Sequence, residues 1–332
     1  MSAVRPLEHA PRLRVDYVND ASDASLAALL AQPDTFAVFG FGAGAPSHHD
    51  PRYLRVPLQP HGDAPLEVWR TPGPVHVGTH GAVRYAESDT LHFGWIEVEE
   101  DGVGLEAASM EAYAAMSALV RSRGFPHLLR SWNYLDAITE GAGDDERYRR
   151  FCVGRAAGLG EVAIGTLPAA TAIGRCDGVR TLQVYWLAAG TPGTPVENPR
   201  QVSAYRYPRQ YGPQSPSFAR AMVPPSHGMP LLLSGTASVV GHESRHHDCI
   251  ESQLAETFAN FESLIAAART TRPELPQRFG AHSRLKVYVR DAQALPLIEQ
   301  ALAEHLDPAV PRVLLHAAVC RRELRVEIDG VL

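Results

Sequence analysis

One order of strands and helices occurs twice along this chain, and a repeat constrains a fold more than any other sequence feature. Strand-like segments over 91–98, 132–138, 170–175 and 181–187 alternate with helical segments over 107–123 and 144–157. After a Pro-, Gly-, Tyr- and Arg-rich loop over 190–230 the order returns. Strands are expected over 230–240, 284–289, 313–319 and 323–328, and helices over 249–269 and 295–306. The copies lie about 140 residues apart, and their last strands align, Leu182, Val184 and Tyr185 against Leu324, Val326 and Glu327. This alternation predicts an α/β (α+β) fold of two tandem units, each a mixed β-sheet covered by helices on one face. The cleft between two such units is the natural place for a site. The expected division is a degenerate first domain over 1–200, with an N-terminal extension, and a second domain over 201–332. A length of 332 residues agrees with two domains at one per ~150 residues.

The helix expected over 249–269 carries Ile250, Leu254, Phe258, Phe261, Ile265 and Ala268 on one face. Asp248 and Glu251 ahead of it have the spacing of a capping box. The first 90 residues are harder to read. They suggest a helix over 26–30 and short strands over 35–39, 66–70 and 75–77.

Composition removes several classes of function. Lys plus Arg number 31 against 37 Asp plus Glu, a net charge of −6, so no basic excess exists to bind a phosphate backbone. An anionic ligand must therefore be held by a few placed arginines. The first nine residues contain no apolar stretch of the secretory type. No apolar run approaches the ~20 residues of a membrane helix. Cys152, Cys176, Cys249 and Cys320 are widely spaced, as befits reduced thiols in a cytoplasm. The expectation is a cytoplasmic protein without nucleic-acid or membrane partners, a monomer or small homo-oligomer.

Five features bear on chemistry. Gly40, Gly42 and Gly44 are followed by Pro46 and Pro51, which marks a turn; a dinucleotide site needs a helix there. His242, Glu243 and His246 satisfy H-E-x-x-H, but they precede the helix, where metal-binding spacing of the two histidines is not assured. A polar loop at the mouth of the site is the preferred reading, with no metal. Cys320, taken by itself, reads as a small buried hydrophobe. Glu327 is more telling. Strand alternation places Arg325, Glu327 and Asp329 on one face. If that face lines the cleft, burial raises the pKa of Glu327 and makes it a general acid near neutral pH. Tyr185 takes its place in the first copy, so one active site per pair of units is expected. The Arg- and Tyr-rich segment over 198–212, with Arg220, suits carboxylate binding.

The second unit resembles the RidA/YjgF family of enamine/imine deaminases and ligand-binding proteins. The similarity lies in residues 217–221, in Leu233, Ser234, Gly235 and Thr236, in the helix over 254–268 and in the strand over 284–291. Arg312 and Glu327 match the spacing of that family's carboxylate-binding arginine and its glutamate. Phe218 stands where the deaminases have Tyr, and Leu314 where they have Cys, which argues against deaminase activity. The whole of 35–332 resembles the chorismatases more closely. Trp132, Asn133 and Tyr134, the segment 198–211, residues 234–237 with Gly241, His242 and Glu243, and Cys320 with Glu327 carry this similarity. The resemblance implies a cofactor-independent enzyme that releases pyruvate from chorismate, with Glu327 as the acid. It implies through Cys320 a 3-hydroxybenzoate product, in a subgroup that also makes 4-hydroxybenzoate. The substrate-binding candidates are Arg312, Arg220, Arg206, Tyr205, Tyr211, Phe218 and Gly235. The alternatives are a chorismate hydrolase giving a dihydrodiol, a RidA-like sensor of small carboxylates without turnover, and a zinc hydrolase.

Overall fold

The computed structural model describes residues 10–332; residues 1–9, on which the reading of the N-terminus bears, lie outside the described residues. The N-terminal segment builds a sheet of its own. Strands β1 (Arg14–Val18), β2 (Thr35–Phe41), β3 (Tyr53–Val56) and β5 (Leu66–Arg70) pair in the order β1-β5-β2-β3. Helix α1 (Asp23–Leu30) starts at Ser22, whose hydroxyl accepts the Ser25 amide. Every residue of β2 is buried, as a strand covered on both faces requires. The short β4 (Gln59–Pro60) leaves this sheet and adds to the edge of the sheet of the second unit. Glycine at 40–44 forms the expected turn, with Gly42 at φ +75 and no helix following.

The two predicted units are present and their topologies match strand for strand. The first contains β6 (His76–His80), β7 (Val83–Glu87), β8 (Leu91–Glu99), α2 (Gly104–Ser122), β9 (His127–Asp136), α3 (Arg147–Leu159), β10 (Ala169–Arg175) and β11 (Thr181–Ala189). Its sheet runs β10-β9-β11-β8-β7-β6. The second contains β12 (Thr194–Val196), β13 (Ala221–Val223), β14 (Leu232–Ala237), the hairpin β15 (Val239–Val240) and β16 (Glu243–Ser244), α4 (Ile250–Thr271), β17 (Arg284–Val289), α5 (Leu295–His305), β18 (Arg312–His316) and β19 (Val326–Val331). Its sheet runs β12-β13-β14-β19-β17-β18-β4. In each sheet only the βαβ pair is parallel, β9 with β10 and β17 with β18. The repeat is thus longer than the sequence pattern suggested, because β6 and β7 correspond to β12 and β13. In the first unit a tight turn joins that pair. In the second the Arg- and Tyr-rich segment is inserted between the strands. Because β12 already belongs to the second sheet, that sheet begins before residue 200.

Helices cover the outer face of each sheet. The expected stripe of α4, from Ile250 to Ala268, is buried against Leu285, Val287, Val289, Val326 and Ile328. Each Leu, Ile or Phe fully buried there contributes roughly 1.5–3 kcal/mol of transfer free energy. The helix begins at Ile250 with Cys249 as its N-cap and no side-chain cap bond, so the capping box from Asp248 does not form. His246, at φ +57, makes a turn closed by the Cys249 amide on its carbonyl, which leaves Asp248 exposed before the helix.

The inner faces meet. Trp132 of β9 stacks on Tyr185 of β11 at 4.6 Å, and Phe39 and Trp69 of the N-terminal sheet pack onto them. At their centre lies a buried polar cluster. Oδ2 of Asp329 accepts hydrogen bonds from Arg130, Trp132, Thr171 and Tyr288, while Lys286 pairs with Glu67 at 3.0 Å. Losing one partner of such a buried cluster costs about 3–5 kcal/mol, so it locks the three sheets in one register.

Candidate active site

Alternation along β19 turns Val326 and Ile328 toward the helices and Glu327 toward the first unit. There Glu327 enters a cleft of about 1200 Å³, measured out to its mouth. The second unit supplies Gly235 and Ala237 of β14 and the turn from Cys320 to Leu324. The first unit supplies Ala170 and Thr171 of β10 and Tyr148, Phe151, Cys152 and Arg155 of α3. The inserted segment closes it with Tyr207, Tyr211, Phe218 and Arg220.

Glu327 is 5% exposed and accepts no hydrogen bond from the described residues. Burial, and next the charge of Asp329, push its pKa up to about 8, against the pull of Arg130, Arg220 and Arg321. The carboxyl rests on Gly235, where a Cβ would collide with Oε1. Any larger residue at 235 displaces the acid. The thiol of Cys320 is held neutral, its pKa raised well above the usual range by burial and then by Glu327. Cys152 is pushed up to about 12, again by burial first. Neither is a thiolate nucleophile in this environment.

Five arginines line the cleft; Arg149 and Arg322 approach Glu146 at 3.8 and 4.0 Å, whereas Arg155, Arg220 and Arg321 form no ion pair with a described carboxylate. Arg155 is 3% exposed; its Nη1 donates to the Ser217 carbonyl at 2.5 Å, and Nε and Nη2 have no partner in the chain. Arg220 donates from Nη2 to the Val202 carbonyl at 3.0 Å and to the Tyr207 hydroxyl at 2.7 Å, with Nε unpartnered. Arg321 donates to the His242 carbonyl at 2.8 Å and lies 4.2 Å over the Tyr211 ring. Burying unpaired guanidinium groups is costly, and an anion in the cleft would repay it.

Of the candidates read from sequence, the fold brings Glu327, Cys320, Arg220, Tyr211, Phe218 and Gly235 into one cleft. Arg312, Arg206 and Tyr205 lie outside it. Arg312 opens β18 opposite Leu285, three residues from Leu315, the neighbour of Tyr288, which in turn pairs with Glu327. That separation is about 10 Å along the strand. A fixed spacing between two strands does not put both residues at the same end of a sheet. Arg206 and Tyr205 belong to a turn whose buried residue is Ala204, so Arg206 faces solvent and stacks on Tyr205.

Sequence reasoning missed Arg155, Arg321 and Tyr148, and covered Tyr207 only as part of the segment 198–212. Arg155 did leave a signal: it stands four residues after Phe151 and three after Cys152, on the apolar face of α3. The H-E-x-x-H segment lies on the β15–β16 hairpin and the turn after it, not on a helix. His242 meets the Tyr211 hydroxyl at 3.2 Å, and the described residues contain no metal-ligating group of three.

Residues 67–188 match the family described as "Chorismatase FkbO/Hyg5-like, N-terminal". A chorismatase of Streptomyces hygroscopicus is 36% identical over 276 residues, covering 81% of this chain and 80% of the relative. A 3-hydroxybenzoate synthase of the same species is 35% identical over 277 residues, covering 80% and 81%. A crystal structure of a chorismatase superposes with a TM-score of 0.84 at 32% identity, covering 97% of this chain and 98% of that one. With identity and structural overlap of this extent, the chain belongs to the chorismatase family.

Proposed function

We propose that this protein converts chorismate to pyruvate and 3-hydroxybenzoate, with Glu327 as the proton donor. The observation that carries the reading is a buried carboxyl, its pKa raised by burial, in a cleft where Arg155, Arg220 and Arg321 have no carboxylate within ion-pair distance among the described residues. Chorismate is a dianion with an enol ether. Protonation of the terminal methylene carbon gives an oxocarbenium-like species, and this step needs a neutral acid at working pH. Arg155, Arg220 and Arg321 hold the two carboxylates, and Tyr207 and Tyr211 complete the walls. The ring C4 hydroxyl then captures the cation as a cyclic ketal and returns a proton to Glu327; loss of the C3 proton with cleavage of the ring C4–O bond makes the ring aromatic, and the hemiketal left on the C3 oxygen collapses to pyruvate and 3-hydroxybenzoate. The two products together contain the atoms of chorismate, so no water is consumed. The hydrolytic branch adds one water and leaves a dihydrodiol. Cys320 occupies the space beside Glu327 and helps exclude that water.

Domain organisation supports one site. We place the boundary between the units near Gly190, ahead of β12, and treat 14–70 as a separate extension. Tyr185, which replaces Glu327 in the first copy, is fully buried and stacked among Trp132 and Phe39. Among the described residues no helix is long and apolar enough to cross a membrane.

The test is incubation with chorismate, with pyruvate quantified and ring products separated. One 3-hydroxybenzoate per pyruvate is expected, and 4-hydroxybenzoate is resolved in the same separation. Absence of pyruvate would overturn the assignment. Cys320→Ala is expected to shift the ring product toward the dihydrodiol; an unchanged ratio returns Cys320 to a packing role.

The pH dependence follows from the acid. The active form is protonated, so kcat/KM is expected to fall about tenfold per unit above pH 8. A profile flat well beyond that point excludes Glu327 as donor. The stability sign is the same. A carboxyl raised from 4.5 to about 8 on folding contributes fully below 4.5 and loses that contribution as pH rises through 8.

A further inference from the structure

We propose that Asp329 is a positioning residue for the proton donor: a fixed negative charge at the junction of the two units that keeps Glu327 protonated in the resting enzyme. The inference rests on the reading of Glu327 as the acid.

Glu327 and Asp329 stand two residues apart on β19, so their side chains share one face. Both are buried, at 5% and 0% exposure. Two carboxyls so placed do not both ionise cheaply, and the donors around them decide which one keeps the proton. Oδ2 of Asp329 accepts from Arg130 at 3.1 Å, Trp132 at 3.1 Å, Thr171 at 2.7 Å and Tyr288 at 2.9 Å. Lys286 stands 3.9 Å from Oδ1. Glu327 receives no such donors. The geometry therefore gives the charge to Asp329 and the proton to Glu327.

The groups facing Glu327 complete the balance. Tyr288 of β17 stands beside it in the sheet, and α3 contributes Tyr148, Cys152 and Arg155. Arg130 of β9, Arg220 ahead of β13 and Arg321 of the turn before β19 draw the proton away. Burial and Asp329 hold it, and Cys320 is neutral. Thr171 links anchor and acid: its hydroxyl donates to Asp329 and accepts the amide of Gly235 at 3.0 Å, the residue on which Glu327 rests. Three of the four donors to Asp329 come from the first unit, so the anchor is assembled only when the units dock. In the first copy Leu187 occupies the matching position, and that copy has no acid to tune.

The test is the pH profile of kcat/KM for Asp329→Asn beside the wild-type enzyme. The basic limb is expected to move down by about one unit or more. Asp329→Glu keeps the charge and is expected to keep the limb in place. A limb unmoved in a folded Asp329→Asn enzyme overturns the proposal. Should Asp329→Asn not fold, carboxyl-carbon NMR titration of the wild-type protein decides, with Glu327→Gln identifying the Glu327 signal. A Glu327 that deprotonates in the ordinary carboxylate range, or an Asp329 protonated at neutral pH, overturns it. That titration needs no turnover, so wild-type enzyme that releases no pyruvate refutes the functional reading separately.

Discussion

Glu327→Gln is expected to lower pyruvate release by about 10²–10⁴-fold, the usual contribution of a general acid. Glutamine copies the shape of the protonated acid and carries no ionisable proton for the methylene carbon. The variant should fold. The wild-type side chain is neutral below pH 8, so exchanging it for a neutral isostere removes no ion pair. The melting temperature gives an independent reading. Below pH 4.5 the two proteins should melt alike, and from there to pH 8 the variant should become progressively the more stable, because folding of the wild type then takes up a proton. At pH 9 the variant should be the more stable, because only the wild type then buries an extra charge beside Asp329. Full pyruvate release by Glu327→Gln would remove Glu327 as the donor, whatever the melting data say.

Arg155→Met is expected to produce the second largest effect, a fall in kcat/KM of about 10²-fold or more. Removing one member of a desolvated, hydrogen-bonded charge pair commonly costs about 2–5 kcal/mol. In the free protein the guanidinium is buried with Nε and Nη2 unpartnered, so its charge is uncompensated until substrate arrives. Methionine fills similar volume without that desolvation cost. The free variant should therefore melt at the same or a higher temperature, while binding substrate more weakly. Chorismate should stabilise the wild type against heat and stabilise Arg155→Met much less. Unchanged kinetics would assign Arg155 to bracing the Ser217 carbonyl and leave Arg220 and Arg321 to hold the anion.

The units were legible because their signals are local. The stripe from Ile250 to Ala268 repeats every third or fourth residue, and such a face must be buried. Val326 and Ile328 alternate with Glu327 and Asp329, so one residue's direction fixes its neighbour's. In the N-terminal sheet β2, β5 and the end of α1 were legible as segments, while β1 and β3 were not, because they are short, and β1 finds its partner about 50 residues along the chain. The turn before β19 also differed from expectation. The last strand starts at Val326, since Arg321 to Leu324 bend into the wall of the cleft. The arginines were the weakest part of the reading. Arg312 and Arg206 were reasonable by residue type and spacing, yet a strand end and a turn carried them away from Glu327.

By itself the sequence determined a duplicated unit, a single carboxyl retained in the second copy, and a net charge that leaves anion binding to placed arginines. Each follows from periodicity or composition, which act over a few residues. The tertiary structure alone decided which arginines face the acid and what sets its protonation. Arg155 comes from α3 of the first unit, Arg220 from the end of the inserted segment, and Asp329 finds Arg130 nearly 200 residues away. These side chains meet only because two sheets dock on their inner faces. The low dielectric of that junction then raises the pKa of Glu327.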